Sequence, residues 1–192
     1  MSEAYAHGPA SASPARPGPR DRRLAEMLRV DHAGEYGAVQ IYRGQRAVFD
    51  RASGRAEIAR LLKEMEDGEA AHLETFDRLL ADRRVRPTLL SPVWNVAGYA
   101  LGAATALMGE KAAMACTAAV EEVIEQHYAE QALELAAAEP ELAATLAGFR
   151  QDELGHKETA EAHGAAEAPG YPLMRFVIQA GCRLAIRLSE KV

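Results

Sequence analysis

Residues 69–75 read EAAHLET, and the same pattern returns at residues 153–159 as ELGHKET. Positions i and i+3 share one face of an α-helix, so each Glu-x-x-His unit presents a carboxylate and an imidazole side by side. In each copy an apolar residue lies four positions before the Glu, and another lies four positions after the His. Both polar residues therefore face the side of the helix that packs into a core.

Two lone glutamates extend the repeat. When Glu35 is placed over Glu121, three further pairs coincide, namely Gln40 with Gln126, Tyr42 with Tyr128, and Gln45 with Gln131. This register selects Glu121 from the acidic run at 121–125 and leaves Glu125 as the second choice. An internal repeat of this kind predicts a pseudo-twofold structure in which two helix pairs face one another.

The repeat places six metal-ligating side chains on inward helix faces. One Glu from each of two helices, with Glu-x-x-His from each of two others, is the ligand set of ferritin-like di-metal bundles. Four carboxylates and two neutral imidazoles carry a charge of about −4, which two divalent cations cancel. Such ligands suit iron or manganese, whereas structural zinc sites more often use cysteine. The predicted metal ligands are Glu35, Glu69, His72, Glu121, Glu153 and His156.

Other polar residues are weaker candidates. Tyr128 and His127 are candidates for contacts with the ligands, and a solvent-facing position remains open for His127. His32 precedes Glu35 by three residues and either faces the site or lies on the surface. We expect Cys116 and Cys182 to be small buried apolar residues, because the chain contains no Cys-x-x-Cys spacing.

The remaining chain also follows a helical period, which predicts an all-α fold. We expect helices over residues 21–49, 56–80, 112–135 and 141–163, forming a four-helix bundle. Residues 1–20 are rich in Ser, Ala, Pro, Gly and Arg. They predict a disordered N-terminal tail that makes a poor transit peptide, followed by one di-metal domain over residues 21–192.

Two apolar segments accompany the bundle. Residues 87–109 carry no charge and reach the roughly 20 residues of a membrane span, although Pro92 and Asn95 interrupt them. Residues 171–188 are also apolar, with three arginines spaced along them. Such segments can lie in a membrane interface. We expect two additional helices that face a membrane without crossing it, with the arginines reaching lipid phosphates.

The whole-chain composition is ordinary. The 192 residues have a net charge of −6 and are 48% hydrophobic, which fits a single globular domain. The negative charge argues against a nucleic-acid partner. Two cysteines cannot form a disulfide framework, so a reducing compartment is expected.

Three strings resemble the demethoxyubiquinone hydroxylase family of ubiquinone biosynthesis. They are RVDHAGEYGA at 29–38, AMACT at 113–117 and QAGCR at 179–183, and the resemblance covers about residues 21–190. It implies a ferritin-like, non-haem di-iron mono-oxygenase that hydroxylates a quinone ring with O₂. The family's ligands correspond to the six residues reached above from spacing. Glu69 and Glu153 would bridge two Fe(II) ions, Glu35 and His72 would complete one iron, and Glu121 and His156 the other.

The resemblance also implies partners. The substrate would be a polyprenyl demethoxyubiquinone or its quinol, with electrons from NADH or another donor. No Gly-x-Gly-x-x-Gly string supports a Rossmann-type nicotinamide site. We expect a peripheral membrane protein on the cytoplasmic face of a bacterial inner membrane, in preference to the matrix face of the mitochondrial inner membrane. Contacts with other ubiquinone-biosynthesis proteins and an oligomer are left open.

We retain three functions as alternatives to the hydroxylase. A ferritin-like ferroxidase shares the ligand set, and a manganese catalase has the same ligand types. A non-catalytic, lipid-binding scaffold of a quinone-biosynthesis complex is the third, with the metal only structural.

Overall fold

The computed structural model describes residues 18–192, and within this range the chain is helical with no strand. The all-α prediction is confirmed for this part of the chain. The elements are α1 (Pro19–Phe49), α2 (Ala56–Arg83), α3 (Ser91–Leu107), α4 (Glu110–Leu135), α5 (Pro140–Ala162), a 3₁₀ turn (Ala165–Glu167) and α6 (Tyr171–Lys191).

The first helix begins inside the segment that was predicted to be a tail. Pro19 occupies the first turn, where a missing backbone N–H costs nothing and the fixed φ favours a helix. The Asp21 carboxylate accepts a hydrogen bond from the backbone N–H of Gly18 over 3.0 Å. Residues 1–17 of the predicted tail lie outside the described residues.

The four longest core-forming helices pair in antiparallel fashion. Along α1 and α2, Arg46 binds Glu66 while His32 lies beside Asp77. The helices α4 and α5 also run in opposite directions, because Glu121 lies near His156 while Glu125 binds Arg150. The same holds for α2 and α5, because His72 lies beside Asp152 while Arg83 binds Glu139 at the start of α5. The polar residues of the repeat lie in the space that these four helices enclose.

The third helix of the first half, α3, packs very closely on α1. A Cβ atom at Gly102 would lie 2.0 Å from the carbonyl oxygen of Ile41, and one at Gly44 would lie 2.2 Å from that of Tyr99. Because no side chain fits between the two backbones, glycine is required at these crossings. This contact fixes α3 against the outer side of α1.

The corresponding helix of the second half, α6, is held to α4 by polar contacts. The Arg175 guanidinium donates to both carboxylate oxygens of Glu122, and Gln179 donates to the same carboxylate over 2.9 Å. Arg175 is one of the three arginines expected to reach lipid phosphates, and in the structure its guanidinium is paired with Glu122. Arg183 and Arg187 are exposed.

No helix within residues 18–192 is long and apolar enough to cross a membrane. Both α3 and α6 nevertheless expose large apolar side chains. On α3 and its flanking turns these are Leu89, Val93, Val96, Tyr99, Leu107 and Met108, and on α6 they are Leu173, Phe176, Val177, Leu184 and Leu188. We call these residues the apolar face.

Candidate metal centre

The structure brings all six predicted ligands into one cluster between α1, α2, α4 and α5. Glu35, Glu69 and Glu153 are fully buried, and Glu121 is 1% exposed. Four carboxylates buried at one place repel one another and lose their hydration, which is costly unless cations or protons neutralise them.

The cluster divides into two groups of four. Glu35, Glu69, His72 and Glu153 form one group, while Glu69, Glu121, Glu153 and His156 form the other. Within each group the candidate ligand atoms lie within 4.8 Å of one another, close to the separation expected when each is about 2.0–2.2 Å from a common ion. Glu69 and Glu153 belong to both groups, so the site has the layout of a two-metal centre.

Unsatisfied atoms at the centre fit this interpretation. Both oxygens of Glu69 and Glu153, one oxygen of Glu35 and of Glu121, and Nδ1 of both histidines are buried without a hydrogen-bond partner among the described residues. Buried polar atoms are normally paired, and a metal ion is one group that can complete them. The residues present therefore fit two cations.

Charge repulsion at the cluster is visible in its pKa values. Burial, and then the negative charge of Glu153, raises the pKa of Glu35, Glu69 and Glu121 well above the ordinary value. Burial alone would lower the pKa of His156, but the adjacent carboxylates of Glu153 and Glu69 raise it to about 11. Without metal, protons must supply the positive charge that two cations would otherwise provide.

Two tyrosines cross between the halves of the repeat. Tyr42 on α1 donates a hydrogen bond to Glu121 on α4, and Tyr128 on α4 donates to Glu35 on α1. Tyr128, which was a candidate for contact with a ligand, thus lies against Glu35 in the structure. Tyr42 was not predicted as a site residue, although its alignment with Tyr128 was the signal that could have revealed it.

The neighbouring histidines lie outside the cluster. His127 is largely buried and lies 2.7 Å from Gln131 and 3.4 Å from Asp31, rather than facing solvent. Nε2 of His32 donates to Asp77 over 3.1 Å. Neither histidine belongs to the two ligand groups.

The other acidic candidates of α4 are engaged elsewhere. Glu122 binds Arg175, and Glu125 accepts a hydrogen bond from Arg150 over 3.1 Å. The register that selects Glu121 therefore agrees with the structure. Both cysteines are free thiols, with Cys116 buried and Cys182 partly buried.

An apolar cavity of about 400 Å³ lies on the other side of the α1 and α4 layer. Its walls come from α1, α3, α4 and α6, and small residues of α1 such as Gly34 and Gly37 line it. Gly34 and Val120, the sequence neighbours of Glu35 and Glu121, both border the cavity. Its size is typical of small-molecule sites.

Known proteins match nearly all of the described chain. Residues 22–189 match the family model described as ubiquinone biosynthesis protein COQ7. A 3-demethoxyubiquinol 3-hydroxylase of Rhodospirillum rubrum is 53% identical over 169 residues, covering 88% of this chain and 78% of the relative.

Two animal relatives bear the name NADPH-dependent 3-demethoxyubiquinone 3-hydroxylase, mitochondrial. The mouse protein is 50% identical over 169 residues, covering 86% of this chain and 76% of the relative. The Caenorhabditis elegans protein is 45% identical over 177 residues, covering 90% of this chain and 92% of the relative. The matched residues 22–189 span both halves of the repeat and the whole ligand cluster, so this chain belongs to the COQ7 family of ubiquinone biosynthesis proteins.

Proposed function

We propose that the chain is a 3-demethoxyubiquinol 3-hydroxylase, a mono-oxygenase that adds a hydroxyl group to the ring of a polyprenyl demethoxyubiquinol in ubiquinone biosynthesis. The observation that carries this proposal is the buried pair of ligand groups sharing Glu69 and Glu153. It occurs in a chain that is 53% identical to a relative named for that reaction.

We propose iron as the metal, because the cluster combines carboxylates and imidazoles without cysteine. Glu35 and His72 would hold one Fe(II), Glu121 and His156 the other, and Glu69 and Glu153 both. Bound as a pair, the ferrous ions would supply the electrons and the O₂ reactivity that ring hydroxylation requires. The chain's own part is to orient the lone glutamates through Tyr42 and Tyr128 and to keep bulk water away from the cluster.

The apolar cavity is the proposed site of the quinone ring and the first part of its prenyl chain. Its lining is almost entirely apolar. Trp94 of α3 and Ser189 of α6 both line it, and the indole N–H of Trp94 donates a hydrogen bond to Ser189 over 2.9 Å. Because Gly34 and Ala38 carry little side chain, a flat ring can approach α1 beside Glu35. The prenyl chain would leave between α3 and α6.

We propose that the apolar face docks on the membrane in which a polyprenyl substrate is dissolved. Leu107 is 76% exposed, and Leu173 and Phe176 are each 69% exposed. Large exposed apolar side chains of this kind are typical of interaction surfaces. Arg183 and Arg187 lie exposed on α6, where they would meet anionic lipid phosphates. The proposed location is the cytoplasmic face of a bacterial inner membrane, and the mitochondrial names of the animal relatives favour the matrix face as the alternative.

The electron donor is proposed to be a reduced nicotinamide supplied from outside the domain, since the mouse relative is named NADPH-dependent. Other ubiquinone-biosynthesis proteins and a second copy of the chain remain candidate partners.

A gene deletion tests this function and separates it from the alternatives. We expect a strain lacking the gene to accumulate the demethoxy precursor by mass spectrometry of its quinones, and the wild-type gene but not Glu69→Ala to reverse this. Glu125→Gln, outside the ligand cluster, is the matched control and should complement. Complementation by Glu69→Ala would favour a scaffold, and unchanged quinones in the deletion strain would contradict the hydroxylase.

A further inference from the structure

The two Glu-x-x-His helices differ at the position directly before the glutamate. When Glu69 is placed over Glu153, Gly68 falls over Asp152. In the structure, Nε2 of His72 lies 3.1 Å from Oδ2 of Asp152 across the α2–α5 interface. The carboxylate can only accept, so this nitrogen carries the proton and Nδ1 faces the cluster unprotonated in the neutral ring.

The second histidine has no such support. A Cβ atom built at Gly68 would lie 3.3 Å from Nε2 of His156, so Gly68 occupies the place that Asp152 takes behind His72. Within residues 18–192 the structure gives Nε2 of His156 no hydrogen-bond partner. One imidazole is therefore backed by a carboxylate, while the other faces a residue with no side chain.

The packing of the two imidazole rings also differs between His72 and His156. The His72 ring stacks on Phe149 with centroids 4.0 Å apart, whereas the His156 ring meets Tyr42 edge-on at 6.3 Å. The side chain of His72 is 6% exposed and that of His156 is 17% exposed. His72 is thus fixed on two sides, and His156 is freer to turn away from its ligand position.

We infer that the two metal positions are unequal, with Asp152 as the positioning residue that makes the His72 position the tight one and Gly68 leaving the His156 position labile. This inference rests on the metal centre proposed above. A hydrogen bond from the outer nitrogen orients a ligating imidazole, and its loss typically lowers metal affinity about 10- to 100-fold. The metal at His156 should therefore leave first.

Iron release from the purified full-length chain tests this inference. The protein is loaded anaerobically with two equivalents of Fe(II), freed of excess metal and mixed with a ferrous chelator whose complex absorbs visible light. We expect iron to be released in two phases of equal amplitude, with rate constants that differ by about 10- to 100-fold. Asp152→Ala, which removes the acceptor, should speed the slow phase by a similar factor and leave the fast phase unchanged.

Variants at Gly68 provide the reciprocal test and do not depend on the folding of Asp152→Ala. Gly68→Asp adds a carboxylate beside His156, and Gly68→Ala adds the same Cβ without an acceptor. We expect the fast phase to be slower in Gly68→Asp than in Gly68→Ala, with the slow phase equal in both. Circular dichroism of the metal-free variants checks that each one is folded.

The outcomes separate this inference from the metal centre. Two bound irons that leave the wild type in a single phase would overturn the inference alone, as would a slow phase that Asp152→Ala does not change. Equal fast phases in Gly68→Asp and Gly68→Ala would also overturn it. Failure of the wild type to bind two Fe(II) per chain would contradict the proposed metal centre as well.

Discussion

The hydroxyl of Tyr42 donates a hydrogen bond to Oε1 of Glu121 over 2.6 Å, from the first half of the repeat to the second. Tyr128 makes the reciprocal bond to Glu35. Each lone glutamate is thereby held by the half of the chain to which it does not belong. Both tyrosines are almost fully buried, so the two crossed bonds connect the halves directly at the metal centre.

Removing one crossed bond should weaken both the fold and the site. We expect Tyr42→Phe to lower the free energy of unfolding by about 1–3 kcal/mol, because a buried carboxylate oxygen loses its donor. Urea unfolding of the metal-free protein measures this. Tyr99→Phe is the control, since that ring is 43% exposed on α3 and its change should be near zero. Equal effects of the two substitutions would contradict the role given to Tyr42.

Replacing a ligand should make the metal-free protein more stable and should reduce the stabilisation that added metal provides. Burial and the charge of Glu153 raise the pKa of Glu121, so its ionised form is disfavoured in the metal-free fold. At pH 7 we expect Glu121→Gln to make the metal-free protein more stable by about 1 kcal/mol or more, roughly the value of one pKa unit. The stabilisation gained on adding Fe(II) should fall sharply.

Anaerobic urea unfolding with and without Fe(II) measures both of these effects of Glu121→Gln. Glu125→Gln is the matched control, because its carboxylate binds Arg150 outside the cluster and its metal-linked stabilisation should equal that of the wild type. In the wild type, Fe(II) at about 100 times the dissociation constant of a metal position should add roughly 2.7 kcal/mol for that position. A Glu121→Gln variant that keeps the full gain would exclude Glu121 as a ligand.

The glycine contacts between α1 and α3 should not tolerate a side chain. A methyl group at Gly102 would lie 2.0 Å from the carbonyl oxygen of Ile41, so Gly102→Ala must separate the helices and open one wall of the cavity. We expect a loss of about 1–3 kcal/mol, as for other overpacked sites. Thermal unfolding monitors the change.

Replacing a glycine by alanine should have the opposite effect on stability where the added Cβ would meet no neighbouring atom. A Cβ at Gly148 meets nothing within 4 Å, so Gly148→Ala should stabilise α5 by up to about 1 kcal/mol through helix propensity. If both substitutions raised the melting temperature, the close approach of α1 and α3 would be refuted.

The apolar face should carry the chain to lipid. We expect a double substitution of Leu173 and Phe176 by serine to reduce co-flotation with anionic liposomes at least several-fold, because apolar contact area is lost. Leu133→Ser is the matched control, since this leucine is 81% exposed on α4 outside the apolar face. Liposome binding that survives the double substitution, or that falls equally in the control, would show that docking occurs elsewhere.

Much of the site could be predicted from the sequence, for a clear physical reason. Helical spacing determines which residues share a face, and the repeat supplied a register that selects Glu121 over Glu125. These two facts place all six ligand candidates on inward faces of four helices. The positions of helices α1, α2, α4 and α5 follow from the same periodicity.

The spacing of residues along the sequence does not reveal which side chains contact one another between two packed helices. Arg175 has the pattern of a lipid-facing cation, yet Glu122 neutralises it because α6 packs against α4. Asp152 lies one position off the ligand face and still reaches His72 on another helix. The crossings at Gly44 and Gly102 likewise depend on the approach of two backbones, which a one-dimensional pattern does not record.

The most direct test of the central claim follows the oxygen atom. The purified chain, loaded with two Fe(II), is supplied with a short-chain demethoxyubiquinol analogue, a reductant and ¹⁸O₂, and the quinone product is analysed by mass spectrometry. The account predicts one ¹⁸O atom in each hydroxylated product, and no product from Glu69→Ala. An unchanged substrate with fully loaded protein, or a hydroxyl group derived from water, would contradict it.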